Sequence, residues 1–170
     1  MPKQPHSSSR GFTLLEVLIA IVVLSFGLLG LAGIQAVGIK NTYDANARTL
    51  AIQQAYDMAD RIRANTIGAS AGAYDNITTT IPGDPGCITS TSGCSATQLR
   101  DYDQRYWNTN NQNMLRLGRG TVAVVGGTAI PNKQYLITVM WDEARTGATG
   151  TGCSTNLTTD LSCFQLTFRP

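Results

Sequence analysis

The sequence predicts an α+β fold, a long N-terminal helix packed on an antiparallel β-sheet, and three observations predict it. The run from Val17 to Ile34 carries no charge, and Ser25 is its one clearly polar side chain. Beyond it, apolar residues recur at three- and four-residue steps as far as Ile62, the spacing of one helix face. The second half of the chain holds three short runs rich in β-branched and aromatic residues, separated by Gly-rich turns.

The helix comes first. Apolar residues from Val17 to about Ile39 cover the roughly 20 positions needed to cross a ~30 Å hydrocarbon core. Lys3 and Arg10 precede the run, which keeps the N-terminus cytoplasmic and sends the body outward. The chain has 13 basic and 11 acidic residues, and apart from Lys3 and Arg10 the two signs balance. The body is therefore near neutral and has no general attraction for nucleic acid or anionic lipid. An ordinary signal peptide ends its apolar core at small residues, and Ala32, Gly33 and Ala36 imitate such a site weakly. Glu16 stands at the head of the run. A charge in hydrocarbon costs at least ~2.5–3.5 kcal/mol, so this carboxylate marks a functional site and needs a partner.

Gly11-Phe12-Thr13-Leu14-Leu15-Glu16 resembles the processing site of type IV prepilins. That pattern has a short basic leader, a cut after glycine, a methylated phenylalanine and a glutamate five residues into the mature chain. The resemblance implies that a membrane-embedded prepilin peptidase cuts between Gly11 and Phe12 and methylates the new amine of Phe12. It implies that the apolar segment stays on the protein, and that in filaments Glu16 meets the Phe12 amine of an adjacent subunit. Within one straight helix Phe12 and Glu16 are also neighbours at i and i+4. Glu16 lies in the first turn, where the helix dipole favours an anion.

Gly27, Gly30, Gly33 and Gly38 weaken a soluble helix but let membrane helices approach closely, as does the Ala32–Ala36 pair. Many major pilins have a proline where this sequence has Gly33. The expected amphipathic stripe beyond the membrane is Ala45, Ile52, Ala55, Ala59 and Ile62. Asp44–Arg48 and Asp57–Arg61 are i,i+4 pairs in the supportive order, and the charges from Asp57 to Arg63 read as a solvated face or subunit contact. Asn65 and Gly68 are stop signals. A helix from Phe12 to about Thr66 would be roughly 80 Å long.

The head opens with a loop over 68–95, rich in Gly, Ser, Thr and Pro. Ser95-Ala96-Thr97-Gln98 is a capping box. It starts a short helix with Leu99, Tyr102 and Tyr106 on one packed face, Trp107 on a neighbouring face, and an end in the polar run 108–113. Arg100, Arg105 and Arg116 among these aromatics suggest nucleic-acid binding less than packing, since Asp101 and Asp103 dilute them. Strands are expected at Thr121–Val125, Gln134–Trp141 and Cys163–Phe168, with Tyr135, Ile137, Val139 and Trp141 sharing a face.

Four cysteines lie in the exported part, and they allow three pairings. Short separations favour Cys87–Cys94 and Cys153–Cys163, each closing a local loop. A zinc site of four thiolates is the rival, but no CxxC spacing is present. No metal and no cofactor is expected. His6 is the only histidine and lies in the leader, so no catalytic triad survives maturation. No phosphate-cradling Gly-Lys-Ser/Thr element occurs, and Asp142-Glu143 are adjacent acids that usually diverge. The chain is read as a non-enzyme.

Residues 55–65, 135–141 and 164–170 resemble the minor-pilin branch of the superfamily, that of the type IV pilus modification protein PilV. This resemblance implies a low-copy subunit that primes pilus assembly and sits in a tip complex, in systems serving adhesion and twitching motility. Its partners would be other minor pilins, the major pilin, the peptidase and a tip adhesin. The organisation expected is a leader over 1–11, a membrane and filament-core helix over 12–39, and a periplasmic head over 40–170 on a single-pass inner-membrane anchor. The rival readings are a minor pseudopilin of a type II secretion system and a membrane-anchored adhesin module.

Overall fold

The computed structural model describes residues 11–127, 129 and 132–170. Lys3, His6 and Arg10, and most of the expected leader, lie outside the described residues. The chain divides into two compact units, one ending at Tyr43 and the other Asp44–Pro170.

In the first unit, helix α1 starts at Leu14, and it runs on into the second unit as far as Ala64. Every described side chain from Gly11 to Tyr43 is exposed. Ser25 donates its hydroxyl to the Ile21 carbonyl at 2.7 Å, so the run's polar side chain is satisfied within the helix. A Cβ added at Gly27, Gly30, Gly33 or Gly38 would meet nothing within 4 Å, and α1 passes through all four without a break.

The second unit joins the rest of α1 to α2 (Thr66–Ser70), β1 (Asn76–Ile77), α3 (Ala96–Met114), β2 (Arg119–Gly126), β3 (Gln134–Trp141) and β4 (Ser162–Phe168). The four strands form an antiparallel sheet in the order β1-β2-β3-β4, so the architecture is α+β and pilin-like. β2 and β3 pair from Arg119↔Met140 to Gly126↔Gln134, with a register shift between Val124 and Gly126. β3 and β4 pair without a shift from Tyr135↔Phe168 to Trp141↔Ser162.

One core holds the unit together. Ala51, Ala55, Met58, Ala59 and Ile62 of α1 meet Tyr135, Ile137 and Val139 of β3, with Trp107, Tyr74 and Val122. The alanines leave little bulk on the helix, which lets it lie close to the sheet. The stripe differs from the one expected: Ala45 is exposed and Ile52 is 38% exposed, while Ala51 and Met58 are buried. Large aromatics on the sheet side and on α3 select which helix residues face inward, and spacing along the helix does not carry that information.

The segment expected as a loop over 68–95 contains most of α2 and all of β1. Asn65 ends α1 and caps α2, its side chain accepting from the Gly68 amide at 3.0 Å. Ser95 and Gln98 form both hydrogen bonds of the capping box. The helix they start is longer than expected, because it absorbs the polar run and ends at Met114. Its buried face is also a different one. Asp103, Gln104, Trp107, Asn108 and Asn111 are buried, and Tyr106 is 44% exposed. Gln104 and Asn108 are held by backbone groups far along the chain, while the Asn111 side chain has no partner among the described residues. Gln104 donates to the Thr78 and Thr80 carbonyls at 3.2 and 2.9 Å. Asn108 donates to Thr78 at 3.0 Å and accepts from the Gly120 amide at 2.7 Å.

Cys87 is bonded to Cys94 and Cys153 to Cys163, with Cα separations of 4.8 and 5.5 Å. On the chain-entropy account loops of this size stabilise by roughly 2–3 kcal/mol each. Non-reducing peptide mapping of the native protein is expected to yield these two pairs. Cross-paired peptides or free thiols would contradict the assignment.

Candidate processing and assembly site

The site is built on the start of α1. Gly11, Phe12 and Thr13 precede the helix, and Phe12 is 82% exposed. Thr13 is the residue that opens it. Its carbonyl and its hydroxyl oxygen both accept from the Glu16 amide, at 3.1 and 3.3 Å. Helix N-termini leave four backbone donors without partners, and a threonine cap satisfies one of them. Glu16 therefore sits at the third helical position, near the positive end of the helix dipole.

This geometry corrects one expectation. Phe12 stands before the cap, so Phe12 and Glu16 are not neighbours on one turn of α1, which begins at Leu14. The Glu16 side chain is exposed, and among the described residues it makes no side-chain hydrogen bond or ion pair. The residue overlooked was Thr13. Its signal was present, since Thr-x-x-Glu before an apolar run is a capping pattern.

Within the head, several charged side chains pair with one another. Asp57 and Arg61 pair as expected at 2.8 Å. Arg61 also reaches Asp103 on α3 at 3.1 Å, and Tyr74 donates to Asp103 at 2.6 Å. Asn65 donates to the Tyr74 hydroxyl at 3.0 Å. The set from Asp57 to Arg63 is thus more than a solvated face, because Arg61 turns inward and ties α1 to α3. Burial holds the Asp103 carboxyl above the usual carboxylate range, against the opposing pull of Tyr74 and Arg61. Burial likewise raises the Tyr74 phenol, and Asp103 beside it raises it further. Asp44 does not hold Arg48, which pairs with Glu143 at 3.0 Å.

Asp142 and Glu143 diverge onto different partners, Arg116 and Arg48. Asp142 accepts from Arg116 and from the Thr146 and Gly147 amides, each at 3.0 Å. Its burial alone would raise the carboxyl, but the three donors together outweigh that and hold it below the usual range. A depressed carboxylate contributes stability above its unfolded pKa of about 3.9 and loses it as pH falls through the lower folded value. Asp142→Asn is expected to cost about 1.5–3 kcal/mol at pH 7, the worth of hydrogen bonds to a charged group, and much less near pH 2. Denaturant unfolding at the two pH values checks this, and a pH-independent cost would show that the charge is immaterial.

Two family models cover this part of the chain. Residues 6–32 match the prokaryotic N-terminal methylation motif, and residues 33–105 match the model described as type IV pilin Tt1218. Together they run without a gap from the leader through α1 into α3. The chain is a type IV pilin. No curated protein matches it, and no solved structure does. The first match spans the Gly11–Phe12 junction, Thr13 and Glu16 of the pilin, so the capped helix start described above lies inside the methylation motif. The apolar run of α1 is long and apolar enough to cross a membrane, which fits a membrane-anchored pilin. Pilins are structural proteins, and their family membership implies other pilins as partners and processing by a prepilin peptidase.

Proposed function

We propose that this pilin is a minor pilin of the PilV kind, which joins other minor pilins in a complex that primes pilus assembly and remains near the tip. The observation that carries the reading is an exposed carboxylate, Glu16, at the capped start of a helix whose next residues, Val17 to Ile34, carry no charge, in register with the Gly11–Phe12 junction. In this reading the peptidase removes 1–11 and methylates Phe12. Residues 12–39 anchor the chain in the inner membrane, and 40–170 form the periplasmic head. Glu16 then meets the Phe12 amine of a neighbouring subunit, where low dielectric strengthens the pairing. Support for the minor branch comes from the three segments that resemble it, 55–65, 135–141 and 164–170. They lie on α1, β3 and β4, and each contributes to the one core of the head. The likeness therefore follows a single packed unit.

Mass spectrometry of the mature protein is expected to find a chain beginning at methylated Phe12. A mature terminus near residue 37 would instead mean removal of the whole apolar run, and the filament role would fall. Co-purification decides between systems: recovery with pilus subunits is expected, and recovery with secretion-system pseudopilins alone would refute the pilus assignment.

A further inference from the structure

Two Asn-x-Thr tripeptides occur in the chain, Asn76-Ile77-Thr78 and Asn156-Leu157-Thr158. In an exported protein this pattern is an acceptor for N-linked sugar when it lies on an accessible loop. Three-residue patterns recur by chance, so local geometry has to separate a site from a coincidence.

The two tripeptides differ in that geometry. Asn76 and Ile77 form β1, paired with Ala123 and Val122 of β2. Ile77 is buried, and the Thr78 carbonyl accepts from Gln104 and Asn108. That tripeptide is locked into the sheet edge. Asn156 instead opens a turn in the loop closed by the Cys153–Cys163 bond. Its carbonyl accepts from the Thr159 and Asp160 amides at 3.1 and 2.9 Å. Its side-chain Oδ1 accepts from the Thr158 amide at 3.2 Å and from the Thr158 hydroxyl at 2.7 Å. Asparagine favours turns of this kind because its side chain bonds the backbone two residues on. The Thr158 amide can only donate, so the side-chain atom facing it is the oxygen, and Nδ2 is the end left over. Asn156 and Thr158 are both exposed, and among the described residues Nδ2 has no hydrogen-bond partner. The two polar side chains of the tripeptide thus meet at one point of the surface, with the acceptor nitrogen unengaged.

We propose that Asn156 is an N-glycosylation site, modified by a membrane transferase that draws on a lipid-linked oligosaccharide pyrophosphate. A bond forms between Nδ2 and the anomeric carbon of the first sugar. The bond from that carbon to the phosphate oxygen breaks, the lipid pyrophosphate leaves with the electron pair, and one Nδ2 proton passes to a base of the transferase. Nothing is oxidised or reduced. Thr158 is the hydroxyl by which the acceptor is recognised. The attached sugar is bulky and hydrophilic, so it keeps this loop out of contacts between subunits. The inference rests on export of the head, which the state of Cys153 and Cys163 reports separately.

The test uses the protein purified from its own host, digested without reduction and fragmented by electron transfer, which leaves sugars on their residues. Asn156 is expected to carry at least one sugar, and Asn76 none. Thr158→Ala should abolish the modification and Thr158→Ser should retain it. Asn156→Gln should lose the added mass and still form both disulfides. With Cys153–Cys163 intact, a bare Asn156 overturns the proposal and leaves the pilin reading standing. Reduced cysteines in the native protein would overturn export of the head and the proposal with it. Sugar on Thr155 or Thr158 in place of Asn156 would overturn it in favour of O-linked attachment. Sugar on Asn156 that survives Thr158→Ala would overturn the role given to the tripeptide.

Discussion

Trp107→Ala is expected to destabilise the head by about 3–5 kcal/mol, the range for emptying a large aromatic site in a core. Trp107 is fully buried at the centre of α3, and its indole donates to the Gln54 carbonyl of α1 at 2.7 Å. Its ring also lies against Gly120 of β2, where an added Cβ would collide with it. One side chain thus touches α1, α3 and the sheet, and its loss leaves a cavity, removes a second hydrogen bond from the already helix-bonded Gln54 carbonyl and leaves a sheet residue without its neighbour. Two further variants separate these effects. Trp107→Phe keeps most of the packing and loses the donor, and is expected to cost about 0.5–1.5 kcal/mol on top of the smaller volume, since the Gln54 carbonyl keeps its helical partner. Gly120→Ala should be costly in the wild-type background and mild beside Trp107→Ala, a coupling that a double-mutant cycle reads directly. Denaturant unfolding of the full-length protein in detergent supplies all four numbers. Additive costs for Gly120→Ala and Trp107→Ala would show that the ring and the glycine do not constrain each other.

Legibility in the sequence followed how local each determinant is. β3 was readable to the residue, because Gln134–Trp141 alternates cleanly and both ends are marked by turns. The Ser95 capping box was readable because all its parts lie within four residues. The stop at Asn65 was readable for the same reason. What the sequence concealed was the inward face of α3. Tyr102 and Tyr106 looked like the packed side, yet Asp103, Gln104, Asn108 and Asn111 are the buried ones. Asp103, Gln104 and Asn108 tolerate burial because partners such as Arg61, Tyr74, Thr78, Thr80 and Gly120 reach them from other elements, whereas the side chain of Asn111 has no partner among the described residues. Such partnerships have no local pattern. Arg48 shows the same effect: a helical neighbour, Asp44, was in the right register, but Glu143 lies 95 residues away in sequence and takes the guanidinium. At the helix start the position of Glu16 was legible and its cap by Thr13 was not, although that signal was local.

Glu16→Ala is expected to leave the pilin in the inner membrane yet reduce its assembly with partner pilins tenfold or more. Alanine removes a charge that is costly in hydrocarbon, so insertion should be no harder. The head has its own core, built from residues beyond Tyr43, and should fold unchanged. What disappears is the anion that would pair with a neighbour's Phe12 amine. Removing one member of a buried pair costs ~3–5 kcal/mol because the other charge is left uncompensated. Glu16 is exposed in the single chain, so solvent reaches the carboxylate before assembly, and the realised penalty should lie below that range. A loss of about 1.4 kcal/mol already makes the tenfold change. Helix fraying is the competing cause, since Glu16 belongs to the capped first turn. Thr13→Ala tests it: the cap is worth about 0.5–2 kcal/mol to the helix end, but the variant keeps the carboxylate. Thr13→Ala should therefore assemble much better than Glu16→Ala, and Glu16→Gln should fail with Glu16→Ala if charge is what matters. The measurement is co-precipitation with partner pilins at equal membrane abundance, using protein shown by mass spectrometry to be cleaved at Phe12. If cleaved Glu16→Ala assembles like the wild type, the carboxylate is not the assembly contact. If Thr13→Ala fails as badly, the requirement is for an ordered helix start, and Glu16 serves it from within its own chain.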